Sequence, residues 1–133
     1  TLVNTHPCYM NILVVDDERD VQILFEQRFR KEIKNNEIEF AFAFSGEEAL
    51  QYLNQHDHGA VLILSDINMP GMSGLELLRH IKEKYHAPPP LVMMITAYGD
   101  AENYNTAMRL GADDFLTKPV EFSVLKEKLK AIQ

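Results

Sequence analysis

Residues 61–64 (VLIL) carry no polar side chain, and the run ends abruptly in Ser65 and Asp66. A short apolar run of this kind reads as a strand buried on both faces, as in a parallel sheet. Asn68, Pro70, Gly71, Ser73 and Gly74 follow as a turn-rich segment, and Ser73 with Glu76 has the capping-box spacing of a helix start. Asp66 is therefore expected at the carboxyl end of a buried strand, at the mouth of a loop. Open α/β sheets keep their ligands and chemistry there. Asp is also a common turn residue, so this stretch alone leaves a plain turn cap as an equal reading. The other strand ends decide between them.

The same grammar recurs along the chain. Residues 12–15 form an apolar run ending in Asp16, Asp17 and Glu18. Val21, Leu24, Phe25, Phe29 and Ile33 follow at helical spacing, predicting one amphipathic helix that closes at Asn35 and Asn36. Residues 38–44 alternate, with Ile38, Phe40, Phe42 and Phe44 on one side and Glu39, Ala41 and Ala43 on the other. Alternation of this sort places a strand nearer a sheet edge. Ser45 and Glu48 make a second capping box, before a helix that turns Ala49, Leu50 and Leu53 to the core. The helix after the central strand uses Leu75, Leu78, Ile81 and Tyr85, and the prolines at 88–90 stop it. A strand over 91–95 ends in Thr96. Asp100 caps a helix carrying Tyr104, Ala107, Met108 and Leu110, which Gly111 ends. A brief strand over 114–117 runs into Lys118 and Pro119. The last helix buries Phe122, Leu125, Leu129 and Ile132, and Lys126, Lys128 and Lys130 read as its solvated face.

Strand and helix thus alternate five times, which calls for a parallel sheet with helices on both faces and right-handed crossovers. The 133 residues are enough for one domain over 10–133, with residues 1–9 as a tail or linker. Either Met10 is the natural start, or residues 1–9 belong to an upstream segment. A net charge of −7 argues against a general nucleic-acid surface. Cys8 is the only cysteine, so neither an internal disulfide nor a cysteine zinc cluster is available, which fits a reducing compartment. No apolar run approaches a membrane span, and no signal pattern opens the chain. A cytoplasmic protein is the expectation.

The parallel arrangement brings the strand ends to one edge of the sheet. Asp16 and Asp17, Asp66, Thr96 and Lys118 then converge: three carboxylates, a hydroxyl and an ammonium. Two carboxylates about 4 Å apart repel by roughly 4 kcal/mol at an effective dielectric near 20. Three must raise one another's pKa or recruit a cation. An all-oxygen set on a few carboxylates suits Mg²⁺, which often bridges to phosphate. Lys118 adds a point charge for a phosphoryl oxygen, and Thr96 a donor. A carboxylate nucleophile in such a setting is equipped for in-line phosphoryl transfer, giving an aspartyl phosphate.

The segments ILVVDDE, LSDINMPGMSGLELL, MITA and GADDFLTKP together resemble the receiver domains of two-component response regulators, and the resemblance runs from Met10 onward. It implies a flavodoxin-like (βα)5 three-layer fold with strand order 2-1-3-4-5. It implies that Asp66 is the phosphoacceptor and that Asp17, Asp66 and the backbone carbonyl of Asn68 ligate Mg²⁺, with Asp16 acting through water. Lys118, Thr96 and the Ala97 amide would bind the phosphoryl group, with Phe115 as the switch aromatic and Lys118–Pro119 as a cis bond. Asn68 and Tyr98 would flank the phosphoryl group and tune its lifetime, Tyr98 by shielding it from water. The implied donor is phosphohistidine on a sensor histidine kinase or a histidine phosphotransfer protein. The implied output face is the helix capped by Asp100, the fifth strand and the last helix, read by a partner or a second copy. No direct nucleic-acid binding and no membrane contact are expected of this domain.

Other readings meet specific obstacles. A flavin module of the same fold needs a hydroxyl- and glycine-rich phosphate loop after the first strand, where this chain has Asp16, Asp17 and Glu18. Phosphatases resembling haloacid dehalogenases carry Asp-x-Asp after the first strand, which is absent. A degenerate receiver used only for binding would lack part of the constellation, and here every part is present.

Overall fold

The apolar runs become the middle of a sheet. In the computed structural model, which describes residues 10–55, 62–84, 90–97 and 100–132, β1 (Met10–Val15), β3 (Leu62–Asp66) and β4 (Leu91–Ala97) are almost wholly buried. The alternating segment β2 (Ile38–Ala43) lies at one edge and β5 (Asp114–Lys118) at the other. All pairings are parallel, in the order β2-β1-β3-β4-β5. The register aligns Val15 with Ser65, Ser65 with Met94 and Met94 with Phe115, so the strand ends arrive at one level.

Alternation along each strand divides the core in two. Leu13, Val15, Ile63, Val92 and Met94 face one way, toward α3 (Gly46–Gln55), α4 (Gly74–Lys84) and α5 (Ala101–Arg109). Ile12, Val14, Leu62, Leu64, Met93 and Ile95 face the other, toward α1 (Asp20–Arg28), α2 (Arg30–Lys34) and α6 (Phe122–Ile132). Three layers result.

Local signals act as their chemistry dictates. Ser73 Oγ accepts from the Glu76 N–H while Glu76 Oε1 accepts from the Ser73 N–H, a reciprocal cap that starts α4. At α3, Ser45 Oγ accepts from the Glu48 N–H, but Glu48 reaches back one residue further, to the Phe44 N–H. Asp100 Oδ1 accepts from the Asn103 N–H and caps α5. Gly111 turns the chain after α5 at φ +100°, a conformation that side chains disfavour.

The helix expected over Val21–Ile33 is two helices, α1 and α2, broken at Phe29 (φ −110°, ψ 21°). Neither proline nor glycine causes the break. The backbone leaves the helix where the Phe29 ring turns into an aromatic cluster with Phe25, Phe40 and Phe122. Leu24, which the spacing assigned to the core, is exposed, because Phe25 and Phe29 occupy the buried side. In α4, Leu77 joins Leu78 and Ile81 in the core and Leu75 is only half-buried. Tyr85 and the prolines at 88 and 89 lie outside the described residues. On α5 only Ala107 is fully buried, while Tyr104 and Met108 face outward. Lys130 is a solvated lysine as expected, but Lys126 and Lys128 do more. Lys126 pairs with Glu32 on α2, and Lys128 pairs with Asp114 at the start of β5, tying α6 to its neighbours.

Candidate functional site

The site is assembled from strand ends. Asp16 follows β1, and its backbone N–H still continues the sheet by donating to the Ala43 carbonyl at 3.1 Å. Its Oδ1 accepts from the Glu18 N–H at 2.9 Å, which fixes the carboxylate at the start of the loop. Asp66 is the last residue of β3, and Asp16 and Asp66 are 6% and 4% exposed. Asp17 is exposed. One carboxylate oxygen from each of Asp16, Asp17 and Asp66 lies within 4.8 Å of the other two.

Lys118 closes β5 and reaches across the sheet edge. Its Nζ lies 3.1 Å from Asp66 Oδ2 and 3.5 Å from Asp16 Oδ2. Burial pushes the Asp66 carboxyl above its usual range, and the Asp16 charge adds to this. The Lys118 hydrogen bond and charge, and a backbone N–H from Asn68, oppose the rise without cancelling it. Burial alone would lower the Lys118 ammonium, but the Asp66 bond and the charges of Asp66, Asp16 and Glu18 hold it above its usual value. One ammonium therefore does not neutralise the cluster.

Thr96 ends the apolar part of β4. It is 1% exposed, and its Oγ1 has no hydrogen-bond partner among the described residues. A buried hydroxyl without a partner costs free energy unless something else satisfies it. Ala97, next along, pairs in register with Lys118. Phe115 is half-buried in the core face under α5, and its N–H donates to Asp114 Oδ1 at 2.7 Å. The Lys118–Pro119 peptide bond is cis. Asn68 is exposed in the loop after β3. Tyr98 lies outside the described residues.

The cluster has the chemistry of a hard-cation site. Its donors are all oxygen, it keeps excess negative charge beside Lys118, and one of its carboxylates is open to solvent. These residues fit Mg²⁺.

Two positioning devices went unread in the sequence. Ser65 Oγ donates to the Asp66 carbonyl at 3.0 Å, inside the sheet. Gly74, at the start of α4, packs directly on the Asp66 backbone: a Cβ there would sit 2.0 Å from the Asp66 carbonyl oxygen, and the Gly74 N–H donates to the Ile67 carbonyl at 2.8 Å. The loop is also held from outside by Met72, whose Sδ would lie 2.8 Å from a Cβ on Gly46. The only sequence signal for Gly74 was its place after the Ser73 cap. Gly74→Ala is expected to lower stability by about 1–3 kcal/mol through this overlap, read as a denaturant midpoint. An unchanged midpoint would show that α4 slides away at no cost.

Among the described residues, no helix is long and apolar enough to cross a membrane. The family model for the response regulator receiver domain matches residues 12–130. The chain is 33% identical over 124 residues to the response regulator RppA of Synechocystis, covering 93% of this chain and 50% of that protein. It thus spans about half the length of that curated relative. The response regulator TrrA of Thermotoga maritima, solved in complex with Mg(2+)-BeF, superposes with a TM-score of 0.76 at 32% identity, covering 93% of this chain and 99% of that one. The receiver domain of the Saccharomyces cerevisiae response regulator Ssk1, solved with the histidine phosphotransfer signalling protein Ypd1, gives a TM-score of 0.79 at 26% identity, covering 92% and 87% of the two chains.

Proposed function

The chain belongs to the response regulator receiver domain family, and from that membership we propose that it accepts a phosphoryl group onto Asp66 from a phosphohistidine. The observation that carries the reading is the buried Asp66 carboxylate, grouped with Asp16 and Asp17 and bonded to Lys118 at 3.1 Å. An Asp66 carboxylate oxygen attacks phosphorus in line. The new P–O bond forms as the P–N bond to the donor imidazole breaks, and that nitrogen keeps the electron pair. Asp17, Asp66 and the Asn68 carbonyl would hold Mg²⁺ directly, with Asp16 acting through water. The bound ion would offset the charge that gathers on the phosphoryl oxygens.

The chain's own residues do the rest. Lys118, already poised between Asp66 and Asp16, turns to a phosphoryl oxygen. Thr96 Oγ1 and the Ala97 N–H donate to the others, which gives the buried hydroxyl its partner. Asn68 and Tyr98 flank the group and set how long it survives water. The protein acts only on its own aspartate, first in taking up the group and then in losing it to water.

Signalling follows as a shift between two conformers, which the phosphoryl group biases by binding one of them better. Thr96 closes on the group, Phe115 turns inward, and the face formed by α5, β5 and α6 changes. This is the face expected from the sequence as the helix capped by Asp100, the fifth strand and the last helix. A sensor histidine kinase or a histidine phosphotransfer protein supplies the group, in the cytoplasm, and a downstream domain, partner or second copy reads the face. The Ypd1-bound receiver supports this choice of donor. The test is intact-protein mass after incubation with acetyl phosphate, with Mg²⁺ or with EDTA. One added phosphoryl group with Mg²⁺ and none with EDTA is expected. Equal uptake in both would remove the metal from the reaction, and continuous turnover of a phosphate ester would point to a phosphatase instead.

A further inference from the structure

Tyr104 and Phe115 meet edge to face, with ring centroids 4.6 Å apart and planes at 88°. Phe115 stands three residues before Lys118 on β5, packed against the buried cluster under α5. Tyr104 is 43% exposed, and Met108, one helical turn along α5, is 41% exposed. The Tyr104 ring therefore touches Phe115 on one side and solvent on the other.

A second path reaches the same residue. The Asp100 N–H donates to the Ala97 carbonyl at 3.3 Å, and the Tyr104 N–H donates to the Asp100 carbonyl at 3.1 Å. The first turn of α5 is thus tied to the residue that follows Thr96. Displacement of Thr96 and Ala97 moves the backbone of α5, and reorientation of Phe115 removes or remakes the ring contact. Both movements arrive at Tyr104.

We infer that Tyr104 is the positioning residue that carries the state of Phe115 to the protein surface. This rests on the proposed role of Phe115 as the switch aromatic. Tyr104 touches no phosphoryl oxygen; it acts through Phe115. Edge-to-face pairs favour their own geometry beyond the area they bury, by an amount that changes a two-state ratio about 2- to 10-fold. The ring makes the contact, so the hydroxyl is dispensable.

Aromatic and methyl NMR of the full chain, with and without Mg²⁺ and beryllofluoride, tests this. In the wild type the Phe115, Tyr104 and Met108 signals move together. Tyr104→Phe keeps the coupled response. Tyr104→Ala still gains a phosphoryl group by mass and still moves Phe115, but the Met108 methyl response shrinks to the part carried by the α5 backbone. The Phe115 equilibrium shifts about 2- to 10-fold away from the conformer described here. Tyr104 signals that stay still while Phe115 moves would overturn the inference and leave the receiver reading intact. So would a Tyr104→Ala protein whose Met108 response matches the wild type. A wild type that neither gains a phosphoryl group nor moves Phe115 overturns both.

Discussion

Asp66→Asn is expected to take up no phosphoryl group from acetyl phosphate and Mg²⁺, and the wild type to gain one, both read as intact mass. The amide keeps the shape of the side chain and loses the anionic oxygen that the proposed mechanism needs as nucleophile. A gain in the variant would move the acceptor to Asp16 or Asp17. The same substitution has a second consequence, opposite in sign to the usual loss of a buried ion pair. Burial first, then the Asp16 charge, holds the Asp66 carboxyl above its usual range despite Lys118. The folded state therefore binds that proton more tightly than the unfolded chain does. Stability from this group is complete below the unfolded carboxylate pKa of about 3.9 and falls as pH rises through the raised folded value. Above that raised value the cost is present in full. In EDTA at neutral pH, Asp66→Asn is thus expected to melt above the wild type, with the gap closing as pH falls toward the ordinary carboxylate range. A wild type that melts higher at neutral pH would show that the Lys118 pairing outweighs burial.

Phe29→Ala is expected to cost about 3–5 kcal/mol, as large aromatic truncations in a core do. The ring is fully buried, with centroids 5.1 Å from Phe40, 6.0 Å from Phe122 and 6.1 Å from Phe25. Lys126 Nζ lies 5.1 Å from the ring centroid while pairing with Glu32 at 3.1 Å. Removing the ring opens a cavity between α1, α6 and β2 and loosens the lysine that links α6 to α2. The measurement is a denaturant titration at fixed pH. A loss under about 1 kcal/mol would mean that Phe25 and Phe122 close the gap.

How far the chain could be read without its fold depends on the range of each interaction. Strand ends are local. An apolar run bounded by Asp16, by Asp66 or by Thr96 marks its own limit, and parallel connection forces all such ends to one edge. The convergence of Asp16, Asp17, Asp66 and Lys118 was legible for that reason, and the structure groups them within a few ångströms. Capping at Ser45, Ser73 and Asp100 was legible too, since each partner lies three residues away.

Which face a helix buries, and what its charged side meets, depends on residues far off in sequence. Leu24 has the spacing of a core residue, yet Phe29, drawn to Phe40 and Phe122, turns the helix and leaves Leu24 outside. Tyr104 and Met108 match the periodicity of α5, but a small residue, Ala107, sets how closely that helix meets the sheet. Lys126 and Lys128 read as solvated because Glu32 and Asp114 are 94 and 14 positions away and only packing brings them close. Periodicity and turn chemistry, which act over a few residues, specify the alternating elements and the acidic edge. Side-chain volumes meeting across the sheet set the break at Phe29, the approach of Gly74 to Asp66 and the seating of Tyr104 on Phe115, because no local pattern encodes the space another segment will fill.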